Sequence, residues 1–102
     1  MGPEILTLGL FEDRFVAVVR KDHALARGRL TPQRYAAATH VLVSRRGLET
    51  GPIDEALARQ GLSRQEAATV SGFAAAIALA RDTDLVATVP AEHTRGLWQG
   101  LQ

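Results

Sequence analysis

Apolar residues fall in short bursts along this chain, and the spacing inside each burst limits what it can form. Ile5 to Phe11 alternates around Thr7 and Gly9 and reads as a short extended segment, with Glu12-Asp13 as a turn after it. Arg14 to Arg20 (RFVAVVR) is apolar and β-branched, the best strand start in the sequence. Lys21 to Gly28 is a polar loop. Thr31-Pro32 supplies an N-cap and a first helical residue for a short helix through about Ala38. His40 to Ser44 (HVLVS) is a second strand, and Arg45 to Gly51 a glycine-containing loop. Pro52 opens the next helix and Gly61 closes it, with Asp54 and Glu55 at its positive end, Arg59 at its negative end and Ile53, Ala56, Leu57 and Gln60 on one face. Gln65 to Val70 is a weaker third strand. Ser71 is placed to cap a helix over Gly72 to Arg81, whose apolar residues on nearly all sides imply burial on more than one side. Leu85 to Val89 is a fourth strand stopped by Pro90, and Ala91 to Gln102 forms a tail carrying Leu97, Trp98 and Leu101.

Strands alternating with short helices predict an α/β fold: a single Rossmann-like lobe with a mostly parallel sheet of about four strands flanked by helices. A length of 102 residues suits one domain, and the sequence holds no internal repeat, linker or low-complexity stretch. In open α/β sheets ligands lie beyond the carboxyl ends of the parallel strands. Those ends lead here into Ser44-Arg45-Arg46-Gly47, Ser71-Gly72-Phe73 and Thr88-Val89-Pro90.

Composition narrows the classes of function. Cysteine is absent, which excludes disulfide scaffolds, cysteine zinc sites and thiol nucleophiles. A net charge of +1 and 5% aromatic residues do not suit a chain that grips a nucleic-acid backbone by itself. No apolar run approaches the ~18 residues of a spanning helix. The first residues lack the basic and apolar regions of an export signal, so a cytoplasmic protein is expected.

Candidate chemistry is sparse. Ser44 and Ser71 each follow a strand, but there is no G-x-S-x-G elbow and His23, His40 and His93 are scattered, so no nucleophilic triad and no enzyme are predicted. Asp82-Thr83-Asp84 has two carboxylates without the rest of a calcium loop; a turn is the simpler role, and no metal or cofactor is predicted. His23 and His40 read as structural or solvated. Arg27-Gly28-Arg29 reads as a solvated pair. Arg45 to Gly51 is the most suggestive stretch. Two guanidinium groups precede a helix N-terminus, an arrangement able to hold a carboxylate or phosphate, although the spacing matches neither a Walker loop nor a dinucleotide fingerprint and a plain surface loop explains it as well.

The ordered series FEDRFVAVVRKDHALARGRLTPQRYAAATHVLVSRRG, GPIDEALARQGL and TDLVATVP resembles the LysR-type transcriptional regulators, over about Phe11 to Ala91. More narrowly it is similar to the distal lobe of their C-terminal effector-binding domain, itself similar to type 2 periplasmic binding proteins. The resemblance implies a non-catalytic lobe that senses a small-molecule effector in a cleft between two lobes. It implies a parent protein that grips promoter DNA through an N-terminal winged helix-turn-helix, which these residues do not include. Residues 1–10 and 90–102 would be crossover or tail segments. Mapped by position, Ser44, Arg45, Arg46, Gly47, Phe73 and Thr88 would face the ligand, with Ser44 donating a hydrogen bond and Arg45 or Arg46 opposing an anionic effector. The tail from Arg95 departs from the family's pattern. A lone lobe also leaves its cleft face unpartnered, so a homo-oligomer such as a dimer is expected. The competing readings are a lobe of a periplasmic solute-binding protein and a stand-alone small α/β protein.

Overall fold

The computed structural model describes residues 4–9, 15–43 and 51–91, with side chains described for all of them except 51 and 52. The expected turn at Glu12-Asp13, the loop Ser44 to Gly47 and the tail with Leu97, Trp98 and Leu101 lie outside these residues. The described elements are β1 (Glu4–Leu6), β2 (Phe15–Val19), α1 (Pro32–Ala37), β3 (Thr39–Val43), α2 (Gly51–Ala58), β4 (Gln65–Val70), α3 (Phe73–Asp82) and β5 (Val86–Pro90), with a single 3-10 turn over Ala24–Ala26 inside the polar loop.

The strands form one sheet in the order β1-β2-β5-β3-β4. β3 is parallel to β4 and to β5, because α2 and α3 return the chain along the sheet between them. β2 runs antiparallel to both β5 and β1, with Ala17 opposite Thr88. The sheet is therefore mixed, not mostly parallel. The pattern strand–helix–strand at β2, α1 and β3 suggested a crossover. Instead the end of β2 and the start of β3 lie at the same end of the sheet, and the chain between them returns without crossing its length. A further short strand, β1, pairs along β2 at the edge. On β4 the register slips by one residue: His40 faces Glu66 and Val41 faces Ala68, so Ala67 is the extra residue of a bulge.

Strand alternation divides the core into two layers. Val16, Val18, Val41, Val43, Ala87 and Val89 point to the side covered by α3. Ala17, Val19 and Val86 point to the side covered by α1 and α2, where they meet Tyr35, Ile53 and Leu57. α1 begins as predicted, the Arg34 amide donating to Thr31 Oγ1 at 3.1 Å. The turn that closes α2 reaches Gly61, whose φ of +73° places it in the left-handed region. Gly61 N donates to Ala58 O and Leu62 N to Leu57 O, each at 2.9 Å, the paired bonds of a Schellman motif.

Two details of α3 correct the sequence reading. Its N-cap is Gly72, with no side-chain capping bond, rather than Ser71. Its burial is one-sided: Phe73, Ala76, Ile77 and Ala80 are buried while Ala74, Ala75 and Ala78 are exposed. Alanine favours helix wherever it points, and its methyl costs little in water, so an alanine-rich helix carries a weak signal of how many sides are covered.

Candidate functional site

The carboxyl ends of the parallel strands are at Val43, Val70 and Pro90. At the first exit Ser44, Arg45, Arg46 and Gly47 lie outside the described residues. At the second, Ser71-Gly72 leads into the open N-terminus of α3. Phe73, its first residue, is buried at 5% exposure among the apolar residues on the α3 side of the sheet. Thr88 is buried on the other side, and its hydroxyl is hydrogen-bonded to the Tyr35 hydroxyl. The two described members of the predicted site therefore sit on opposite faces of the sheet, near one end of it but not in contact through a shared pocket wall.

Thr88 belongs instead to a buried polar cluster that sequence reasoning did not assemble. Tyr35 arrives from α1, His40 from β3, Asp54 from the first turn of α2 and Arg64 from the residue before β4. The Arg64 side chain is 3% exposed and grips Asp54 with two bonds, Nε to Oδ1 at 2.7 Å and Nη2 to Oδ2 at 2.8 Å. Its Nη1 lies 3.4 Å from the Tyr35 hydroxyl. Burial pulls the Arg64 guanidinium downward in pKa, but the bond to Asp54 and the neighbouring Tyr35 outweigh it and leave it above its ordinary value. Burial pushes the Tyr35 phenol up. His40 is fully buried; its Nε2 donates to Tyr35 O at 2.8 Å and its ring stacks edge-on against Tyr35 at 4.6 Å. A carbonyl accepts only, so Nε2 carries the proton, and the buried Nδ1 has no hydrogen-bond partner. Burial is the main reason that His40 falls to a pKa of about 4.

The cluster is a neutral imidazole, a phenol above its usual range and a guanidinium already matched to a carboxylate. These groups keep their protonation states near neutrality, and they bond mainly to one another and to Thr88. Among the described residues no group of three or more histidine, aspartate or glutamate side chains could hold a metal ion. The Asp82–Asp84 stretch is a turn: Thr83 Oγ1 donates to Leu79 O at 2.6 Å and accepts from the Leu85 amide at 3.1 Å. No described helix is long and apolar enough to cross a membrane. The only sequence hint of the polar cluster was His40 at the head of an apolar strand; its one hydrogen-bond partner is Tyr35 O, and the rest of the cluster lies at positions 54, 64 and 88.

Comparison with known proteins agrees with this architecture. The family model described as the LysR substrate binding domain matches residues 2–100. The transcriptional activator NahR of Pseudomonas putida is 37% identical over 81 residues, 79% of this chain and 27% of that protein. The transcriptional activator NagR of a Ralstonia species is 35% identical over the same length and shares. This chain thus spans about a quarter of the curated relatives it matches. Among solved structures, a probable transcriptional regulator from Pseudomonas aeruginosa aligns with a TM-score of 0.71 at 38% identity, over 86% of this chain and 29% of that one. The regulatory domain of MexT, a transcriptional activator in the same organism, aligns with a TM-score of 0.66 at 30% identity, over 96% of this chain and 46% of that one. A five-stranded mixed sheet with α2 and α3 on opposite faces, matched in sequence along nearly its whole length, makes this chain a member of the LysR substrate-binding domain family.

Proposed function

We propose that this chain is the effector-sensing lobe of a LysR-type DNA-binding transcriptional regulator and that it is not an enzyme. The observation that carries the reading is the family match over residues 2–100 together with relatives that are transcriptional activators. The lobe supplies one wall of a cleft at the carboxyl ends of β3, β4 and β5. Ser44 donates a hydrogen bond to the effector, Arg45 or Arg46 opposes its anionic group, Gly47 lets the backbone approach, and Phe73 lines the wall. Thr88 acts from behind, since its hydroxyl is engaged with Tyr35. Promoter DNA is contacted through a winged helix-turn-helix elsewhere in the parent protein, which works in the cytoplasm as a homo-oligomer.

The test is a thermal-shift screen of this chain against a panel of small carboxylates, repeated with Ser44→Ala and Arg46→Ala. A ligand that binds only the folded state at 100 times its Kd adds about 2.7 kcal/mol of stability. Half of a cleft binds weakly, so millimolar concentrations are the working range. The expected result is a carboxylate whose stabilisation is lost in both variants. A carboxylate that stabilises both variants as well as the parent chain would remove the assigned roles. Light scattering at ~100 μM checks the oligomer; a monomer there refutes self-association of the lobe.

A further inference from the structure

A second concavity lies at the opposite end of the sheet from the proposed cleft. Its volume is about 340 Å³, within the usual range for small-ligand sites, and its polar lining is Arg20, Asp22, His23, Arg27, Thr39 and Asp84. Arg20 follows β2, Thr39 opens β3 and Asp84 precedes β5, so one side of the wall is built on strand ends, and Asp22, His23, Ala24 and Arg27 of the 20–28 loop form the other.

The floor of this concavity is fixed. His23 is 6% exposed and both its ring nitrogens are engaged: Nδ1 accepts from the Leu25 amide at 2.9 Å, so Nε2 carries the proton and donates to Asp84 O at 2.8 Å. Arg20 Nε donates to Asp84 Oδ1 at 2.6 Å and its Nη1 to Lys21 O at 3.0 Å, which holds the fork in place and leaves Nη2 without a partner among the described residues. Arg34 closes the rear of the loop by donating to Ala24 O at 2.7 Å. Arg27 differs from these: its side chain is exposed and has no partner among the described residues. The charged lining is balanced, Arg20 and Arg27 against Asp22 and Asp84, while the stretch from residue 20 to residue 34 around it carries five basic side chains and one acid, a local charge of +4 in a chain of net +1. Asp84 from the α3–β5 turn offsets one of these charges, and it does so through Arg20.

We propose that this concavity binds a small oxyanion, a carboxylate or a phosphate group, at a site separate from the interlobe cleft. Arg27 provides the free guanidinium, Arg20 Nη2 the second donor and the Thr39 hydroxyl a third. Planar, two-pronged recognition of an oxyanion is what an unpaired arginine beside an oriented one supplies. His23 does not touch the ligand; it is a positioning residue that ties the 20–28 loop to the α3–β5 turn.

The test is an amide NMR titration of this chain at pH 7 with inorganic phosphate and, separately, malonate, against sodium chloride at matched ionic strength. Saturable shifts at Arg20, His23, Arg27 and Thr39 are expected, with affinity falling at least about tenfold in Arg27→Ala, the loss of one charge-assisted pair. Arg27 is exposed and supports nothing through its side chain, so that variant keeps its melting temperature. Whichever of phosphate and malonate saturates at lower concentration names the oxyanion. Shifts equal to those in chloride, shifts undiminished in Arg27→Ala, or shifts centred on Phe73 and Thr88 would each overturn the proposal.

Discussion

Acidification to pH 5 should destabilise this lobe by an amount set largely by His40. The imidazole is fully buried, one nitrogen donates to Tyr35 O, and the other has no partner. Protonation would place both a charge and an unmatched N–H in the interior. The folded pKa is accordingly depressed to about 4, against about 6.5 in the unfolded chain. A depressed histidine favours folding above its unfolded pKa. That stability is lost as pH falls below about 6.5, because the unfolded state takes up the proton first, and the loss levels off near pH 4. The full difference of about 2.5 pKa units is worth roughly 3 kcal/mol, and the part lost between pH 7 and pH 5 is about 2 kcal/mol. This is a large fraction of the 5–15 kcal/mol typical of a domain. The window from pH 6.5 to 5 lies above the ordinary carboxylate range, so it isolates the histidines. Urea denaturation followed by far-ultraviolet circular dichroism at pH 7, 6 and 5 gives the stability, and the ring resonances identify which of the three histidines titrates where. A His40 midpoint near 6.5, with stability flat from pH 7 to 5, would refute the burial reasoning.

Asp54→Asn strips the partner from a guanidinium that is 3% exposed. Losing one member of a fully buried pair costs about 3–5 kcal/mol, and since Asp54 is 48% exposed a cost of about 2 kcal/mol is expected from chemical denaturation. Arg64→Met should cost less than Asp54→Asn, because it removes the buried charge itself; the reverse order would show that the pair is not effectively desolvated. Tyr35→Phe keeps the ring but leaves the Thr88 hydroxyl unmatched in the core, for a loss of about 1–2 kcal/mol by the same assay. Gly61→Ala meets no atom within 4 Å yet forces an L-residue to φ +73°, so its cost of about 1 kcal/mol is purely conformational, whereas Ser71→Ala, which removes no cap, should leave the melting temperature unchanged.

What was legible in the sequence was what local chemistry decides. Thr31-Pro32 and Gly61 mark helix ends because a side-chain oxygen, a missing amide and a left-handed φ are properties of single residues. The β-branched runs at 15–19, 39–43 and 86–90 became strands for the same reason. Strand direction was not legible. Whether the chain between β2 and β3 crosses the sheet depends on where its two ends lie, and residues 20–38 have the same composition either way. The sides of α3 were misjudged because alanine satisfies both a buried and an exposed position. The polar cluster was invisible for a third reason. Tyr35, His40, Asp54, Arg64 and Thr88 are scattered over 54 positions, and only the tertiary fold brings them together. The concavity at Arg20 and Asp84, residues separated by 64 positions, is of the same kind.

The two faces of the sheet hold their helices by different means. α3 rests on a wholly apolar layer of valines and alanines, a contact that is non-directional and tolerates small shifts. α2 is fastened at its first turn by the planar fork of Arg64, which also reaches the Tyr35 hydroxyl and through it Thr88 on β5. An ion pair of this sort, its guanidinium buried and its carboxylate half-exposed, gives little net stability compared with packed hydrophobic residues. What it adds is direction: two parallel bonds to one carboxylate fix both the rotation of α2 and its position against the start of β4. α2 is the helix entered from the exit of β3, the place where the proposed effector contact stands. On that reading the polar network keeps the first turn of α2 in a set position relative to the strand ends, so that an effector meets a preformed wall and its binding energy is not spent on ordering that helix. Arg64→Met separates the two contributions: global stability is nearly retained, while amide exchange over Glu55 to Ala58 of α2 rises relative to α3. Equal protection of both helices in that variant would mean that apolar packing alone positions α2.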